Sequence, residues 1–171
     1  MTNGFKPMRT LMELQDNYAK TGKLEWIGLR PGYRREMIVV SEAELLTGKG
    51  LSGDHYDNHS GNGKRQVTLI QAEHIPVIAA LCGLKRIEPD RLRRNLVVSG
   101  INIASLKNRN FRLGTAILRG TGYCHPCSRM EETLGQGGYN AMRNHGGITA
   151  LVISGGRITT GDHIEILPET G

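Results

Sequence analysis

Aromatic residues and cysteines are scarce in this sequence, and each shortage narrows the possible functions. Phe, Trp and Tyr make up only 5% of the 171 residues, so side chains on which nucleic-acid bases could stack are few. The three cysteines form an odd set, which argues against a disulfide framework. We therefore expect neither a nucleic-acid partner nor disulfide crosslinking.

Long apolar runs are also missing. No segment approaches the roughly 20 apolar residues needed to cross a bilayer. The N-terminus carries Glu13 and Asp16 and lacks the apolar core of a signal peptide. We therefore expect a cytoplasmic protein without membrane association.

The net charge of +6 suits an anionic partner such as a phosphate-bearing cofactor, although solubility alone explains it equally well.

The length and composition fit one globular domain with a short N-terminal extension. Apolar residues make up 38% and charged residues 22% of the chain, which is typical of a domain with its own core. Residues 7–21 place apolar side chains at helical spacing and end before Gly22. We predict an amphipathic helix there, in an extension (1–22) that packs against the main domain (23–171).

The main domain is rich in predicted short strands. Segments with many β-branched residues or alternating patterns predict strands at 24–29, 36–40, 65–70, 95–98, 115–120, 149–154, 157–159 and 163–167. Helical segments are predicted at 71–82, 90–93 and 128–134. Gly155-Gly156 predicts a hairpin turn, and Gly161-Asp162 a second turn. The fold class is β-rich α+β, a closed or half-closed β-barrel with peripheral helices.

The strongest chemical signal is the tetrapeptide Cys124-His125-Pro126-Cys127 between a predicted strand and a predicted helix. A helix start that Ser128 could cap, together with nearby cations, favours thiolate, which binds metals and attacks electrophiles. Zinc is an alternative, but no second ligand pair has suitable spacing. A thioredoxin-like dithiol is another, but that motif belongs early in a βαβ unit. A purely structural pair remains open as well.

Three further segments carry candidate binding residues. Gly50–Asp54 is a glycine-rich loop in which a structural turn is the preferred role for Asp54. Lys64 and Arg65 precede an apolar strand and could anchor a phosphate or simply be solvated. Arg91–Asn95 contains three arginines and an amide, and arginine forks bind phosphate bidentately.

Taken in this order, the segments resemble the MOSC domain, a module found at the C-terminus of molybdenum cofactor sulfurases. The resemblance spans residues 24–167, and the matching stretches are Gly50–Asp54, Arg65–Ile70, Arg94–Ile101, Phe111–Gly114 and Cys124–Cys127. It implies a MOSC-type β-barrel with a cleft for the molybdenum cofactor, a pterin phosphate that holds its metal through a dithiolene.

The resemblance also implies roles for individual residues. Cys127, the second cysteine of the pair, matches the cysteine that ligates molybdenum in reductases of N-hydroxylated compounds, so it is the expected metal ligand and catalytic residue. The remaining expected cofactor-binding residues are Arg65, Arg93, Asn95, His125 and Ser128. Soft thiolate suits such a metal, and arginine suits phosphate.

The leading hypothesis is therefore a molybdenum-cofactor-dependent reductase of N-hydroxylated or related oxidised small molecules. The sequence has no ferredoxin-like cysteine set or flavin motif, so such an enzyme needs an external electron donor. The alternative is a sulfur carrier that receives a persulfide on Cys127 from a cysteine desulfurase. A third possibility is a non-catalytic binding or regulatory domain with structural cysteines.

Overall fold

The computed structural model describes residues 10–55 and 63–169. Its strands are β1 (Gly22–Leu29), β2 (Ile38–Val40), β3 (Glu42–Leu46), β4 (Gly50–Leu51), β5 (Val67–Gln71), β6 (Leu96–Ser99), β7 (Asn110–Leu113), β8 (Ala116–Tyr123), β9 (Ile148–Ser154), β10 (Gly156–Thr159) and β11 (His163–Ile166). The α-helices are α1 (Leu11–Gln15), α2 (His74–Leu81), α3 (Ser128–Leu134) and α4 (Gly138–Met142), and short 3-10 helices occupy Pro89–Leu92 and Ile103–Leu106.

Seven of these strands form a closed barrel. Its order is β1, β11, β7, β8, β9, β5 and β6, after which β6 pairs with β1 again. Neighbouring strands are antiparallel except for β5 and β6, which are parallel and are joined through α2. The expected β-rich barrel is therefore confirmed, and it is closed.

A second sheet of three strands, β10, β3 and β4, lies beside the barrel. The predicted hairpin at Gly155-Gly156 is wrong, because β10 pairs with β3 and not with β9. Both edges of β9 are already occupied, by β8 and β5, so the chain leaves the barrel at Gly155. A side chain there would lie 2.5 Å from the carbonyl oxygen of Leu45, so only glycine permits this close approach.

Successive side chains of a barrel strand point alternately into and out of the barrel, and apolar residues on both sides form two separate cores. Leu69, Leu96 and Val98 point into the barrel, where Phe111 is among the largest buried side chains. Residues of opposite orientation, such as Val97, face outwards and meet the helices. There they pack with a second buried group that includes Ile70, Ile78, Met130, Leu134 and Met142. The second core holds α3 against the barrel, and it thereby positions Cys127, which immediately precedes α3.

The N-terminal segment differs from its prediction. The helix covers only Leu11–Gln15, where Thr10 and Glu13 form a capping box; Pro7 and Met8 lie outside the described residues. The apolar side chain of Leu11 is 77% exposed. Contact with the barrel is made instead by Tyr18, which packs on its core, and by Asp16, which forms an ion pair with Arg109 at 2.7 Å. The barrel itself begins at Gly22.

The other local predictions are largely confirmed. Each predicted strand segment contains an observed strand, although β3, β4 and β7 are absent from the predicted set. The helix predicted at 71–82 is α2, in which Pro76 lies within the first turn, where its missing N–H is tolerated. The helix predicted at 128–134 matches α3, and Gly161-Asp162 forms the expected turn. None of the helices in the described ranges is long and apolar enough to span a membrane.

Candidate functional site

The Cys124–Cys127 turn joins the end of β8 to the start of α3. Cys124 is buried, with 2% of its surface exposed, whereas Cys127 is exposed. Cys127 itself occupies the N-cap position of α3 in an extended conformation, and no side chain caps the helix. The predicted capping role of Ser128 is therefore wrong, because Ser128 is already the first helical residue. The turn presents one thiol to solvent and encloses the other.

Arg93 lies near Cys127 and near several charged side chains. It follows the 3-10 helix Pro89–Leu92 in the left-handed region, with a φ of +57°, where residues other than glycine are uncommon. Its side chain donates a hydrogen bond to the carbonyl oxygen of Arg35 at 2.7 Å. Burial lowers the pKa of Arg93, the neighbouring cations Arg129 and Arg30 lower it further, and Asp54 and Cys127 act in the opposite direction. Arg93 is thus a half-buried cation held beside other cations.

Arg93 lines a cavity of about 310 Å³, which we call the arginine pocket. It is lined by Arg34, Arg35, Glu36, Met37, Asp90, Arg91, Arg93, Arg129 and Thr133. Part of its charge is internally satisfied: Arg34 forms an exposed ion pair with Glu132 at 3.2 Å, and Arg91 donates a hydrogen bond to the carbonyl oxygen of Thr133. Five arginines against two carboxylates in the lining leave a surplus of positive charge.

Arg94 fastens the cysteine turn from inside the protein. Its guanidinium is buried and donates hydrogen bonds to the carbonyl oxygens of Gly146 at 2.8 Å, Leu92 at 3.1 Å and Cys124 at 3.3 Å. Burial lowers the pKa of Arg94, and the nearby Cys124 opposes this shift. One side chain therefore connects the start of β6, the cysteine turn and the loop before β9.

Asn95 belongs to a buried polar network. Its side-chain oxygen accepts hydrogen bonds from Thr68 and Arg30, and its amide nitrogen donates to Gly28 and Asp54. Arg30 also forms a bidentate ion pair with Asp54, whose carboxylate is fully buried. Because Asn95 is 0% exposed and both polar atoms are occupied, the expected direct contact with a cofactor is not supported. Asn95 instead holds the segment that follows Arg93 and Arg94 against β5 and β1.

The other predicted site residues surround the turn. Arg65 is exposed just before β5 and is close enough to Arg94 to lower the pKa of that buried guanidinium. His125 and Ser128 are exposed on either side of Cys127 along the chain. His125 lines a second cavity of about 340 Å³, which we call the Tyr123 cavity; its lining residues are Ala104, Tyr123, Cys124, His125, Asn144, Gly146 and Gly147.

Sequence reasoning missed several of the arginines near the turn. Arg35 and Arg129 line the arginine pocket together with Arg93, but they come from three distant segments, and no local pattern connects them. Arg30 directly follows β1, and its position after an apolar strand was the available signal for a cation at the end of the barrel.

Comparisons with known proteins agree with this architecture. The chain matches the MOSC domain family over residues 55–165. No curated protein matches the chain significantly.

Solved structures of similar fold include YuaD from Bacillus subtilis, at 23% identity and a TM-score of 0.74, over 86% of this chain and 96% of that one. YiiM from Escherichia coli has 20% identity and a TM-score of 0.66, over 87% and 71% of the two chains. YiiM from Geobacillus stearothermophilus has 12% identity and a TM-score of 0.69, over 86% and 75%. The barrel and the family match over most of the chain together establish that this protein belongs to the MOSC domain family.

Proposed function

We propose that this MOSC protein binds the molybdenum cofactor and reduces N-hydroxylated or related oxidised small molecules, with Cys127 as the sulfur ligand of the metal. Some members of the MOSC family bind this cofactor. One observation carries the proposal: the exposed thiol of Cys127 interacts electrostatically with Arg93, which itself lines a pocket with surplus positive charge.

The residues present fit the two chemically different ends of the cofactor. Arginine guanidinium groups match phosphate oxygens in charge and geometry, and Arg35, Arg93 and Arg129 all line one pocket. A thiolate is a soft ligand that suits a sulfur-bound metal. Clustering half-buried cations is unfavourable without a counter-ion, so a bound phosphate would relieve the repulsion around Arg93.

The chain's own residues have distinct tasks in this proposal. Cys127 presents its sulfur from the rigid turn that Arg94 fastens to the barrel. Arg93 holds the anionic end of the cofactor, and Arg65 adds positive charge near Arg94. When bound, the cofactor would supply the two-electron redox chemistry, and an external donor would return the electrons. The buried Asn95 keeps β5, β6 and the end of β1 in register beneath the site.

The test is to purify the protein after co-expression with cofactor biosynthesis and to measure its molybdenum and pterin content. X-ray absorption at the molybdenum edge then counts the sulfur atoms bound to the metal. We expect Cys127→Ala to lose one sulfur ligand and Cys82→Ala to keep all of them, because Cys82 packs against the helical core at the end of α2 and lines neither pocket. An unchanged sulfur count in Cys127→Ala contradicts the assignment of the ligand.

The exposure of Cys127 also supports a second candidate, a sulfur carrier. A solvent-facing thiol can be reached by a cysteine desulfurase and accept one sulfur atom as a persulfide, whereas Cys124 is enclosed. The test is mass spectrometry after incubation with a desulfurase and cysteine. A carrier gains the mass of one sulfur atom on the peptide that contains Cys127. Absence of that gain contradicts the carrier function.

A further inference from the structure

The Tyr123 cavity is separate from the arginine pocket, because the two share no lining residue. Its volume of about 340 Å³ lies in the range of pockets that enclose small organic molecules. It is formed by the same turn that carries Cys127, since Cys124 and His125 are part of its lining. A molecule bound there would lie next to the segment that presents the exposed thiol.

One wall of the cavity is an aromatic ring. The side chain of Tyr123, at the end of β8, is 53% exposed. The ammonium group of Lys107 lies 5.1 Å from the ring centroid, which is the geometry of a cation–π contact. Lys107 lines the adjoining depression and not the Tyr123 cavity itself. Tyr123 lines both spaces, so Lys107 stands beside the cavity, and the part of the ring that Lys107 does not cover is open to a ligand.

A second wall is bare peptide backbone. A side chain at Gly146 would lie 2.2 Å from the carbonyl oxygen of Cys124, and one at Gly147 would lie 1.8 Å from that of Leu69. Glycine is therefore required at both positions by the surrounding backbone. The amide of Cys124 donates to the carbonyl oxygen of Gly147 at 2.8 Å, which holds this wall in place. The Gly146-Gly147 segment therefore packs against backbone on its Cβ side and presents only backbone atoms to the cavity that it lines.

The charge around the cavity is positive. Its lining, as far as the described residues go, contains no carboxylate. Arg94 lies behind the backbone wall and donates to the carbonyl oxygens of Gly146 and Cys124, and Lys107 stands at the rim beside Tyr123. The amide of Asn144 and the imidazole of His125 add hydrogen-bonding groups. This combination favours an anionic ligand over a cationic one.

We propose that the Tyr123 cavity binds a planar aromatic molecule that carries an anionic substituent. Its role as the substrate site rests on the reductase function proposed above, but the binding itself depends only on residues of this chain. Tyr123 supplies the stacking surface, Lys107 attracts the anionic group, and Gly146 and Gly147 supply a wall from which no side chain projects.

The experiment titrates the cofactor-free protein with 2-naphthoate and follows backbone amide signals by NMR. We expect saturable shifts at Tyr123, Gly146 and Gly147. Two matched ligands test the two parts of the proposal. Decahydro-2-naphthoate keeps the charge but is not flat or aromatic, and 2-naphthamide keeps the ring but is neutral. Both should bind at least about fivefold more weakly, consistent with the size of a single aromatic or cation contact.

Variants assign the effect to individual residues. Tyr123→Leu should weaken 2-naphthoate binding at least about fivefold. Tyr123→Phe should bind it as tightly as the original protein, because phenylalanine keeps the aromatic ring on which the ligand stacks. Tyr139→Leu is the matched control, since Tyr139 is also exposed but lies on α4 outside the cavity. Lys107→Gln should weaken 2-naphthoate and leave 2-naphthamide unchanged.

Three results would overturn the proposal: equal affinity for the flat and the saturated carboxylate, unaltered binding in a folded Tyr123→Leu variant, or shifts confined to the arginine pocket. Molybdenum content plays no part in this measurement. Failure here would therefore leave the cofactor proposal standing, and failure of the cofactor proposal would leave the cavity's ligand class intact.

Discussion

Two groups of arginines lie near the Cys124–Cys127 turn, and they differ in what balances their charge. Arg30 is buried and is matched by the carboxylate of Asp54 in a bidentate pair at 3.1 Å. Arg129 lies close enough to Arg93 to lower the pKa of Arg93. Among the ion pairs within residues 10–55 and 63–169, neither arginine has a carboxylate partner. The first group is complete without a ligand, and the second is not.

The difference separates residues that serve the fold from residues available for binding. A buried ion pair whose remaining polar atoms are satisfied is part of the structure, and breaking it leaves a charge in the interior. A cluster of like charges at a cavity raises the energy of the empty protein and is relieved by an anion. Asn95 is hydrogen-bonded to the paired Arg30 and Asp54, whereas Arg93 belongs to the unpaired group, although the two residues are only two positions apart.

The largest expected effect tests the paired group. Asp54→Ala removes the carboxylate opposite Arg30, and we expect the free energy of unfolding to fall by about 3 to 5 kcal/mol, the usual cost of breaking a buried pair from one side. Urea denaturation measures it. The matched control is Glu165→Gln, which removes the exposed partner of Arg112 and should change stability little. If Asp54→Ala lowered the free energy of unfolding as little as Glu165→Gln is expected to, the buried network would not stabilise the fold.

The second effect tests the unpaired group. Arg93→Gln should leave the stability of the ligand-free protein within about 0.5 kcal/mol of the original, because it removes repulsion together with one hydrogen bond. The same change should abolish most of the rise in melting temperature that phosphate produces in the unmodified protein, since a ligand stabilises only through its binding. Arg157→Gln, on an exposed strand away from the pocket, is the control. A full phosphate response in Arg93→Gln would rule out Arg93 as the anion anchor.

The same comparison explains how far the sequence predicts the site. Most barrel strands follow from local patterns, and the thiol at Cys127 follows from a tetrapeptide. The pairing of β10 with β3 could not be predicted, because it joins segments more than 100 residues apart. Helix α4 was missed because Gly137 and Gly138 suggest a loop. The buried role of Asn95 escaped notice because motif matching identifies a residue type and not the direction in which its side chain points.

The smallest effect concerns a carboxylate that joins the two helices behind the turn. Glu131 on α3 accepts hydrogen bonds from the amides of Gly137 at 2.7 Å and Tyr139 at 2.9 Å, and these bonds lower the pKa of Glu131. A carboxyl group whose pKa is lower in the folded state contributes stability above its unfolded pKa and loses it as the pH falls through the folded value. Stability should therefore decline in acid, below the ordinary range of glutamate.

In Glu131→Gln, that part of the acid dependence should disappear, because the amide cannot ionise. The matched variant is Glu132→Gln, one residue along the same helix, whose partner Arg34 is exposed and whose loss should leave the pH profile nearly unchanged. Thermal unfolding between neutral and acidic pH distinguishes the two. Parallel pH profiles for Glu131→Gln and the unmodified protein would mean that the hydrogen bonds to α4 do not hold the carboxylate in its ionised form. The anchoring of α3 beside Cys127 would then rest on its apolar core and on the contacts of Thr133 with Arg91 and of Glu132 with Arg34.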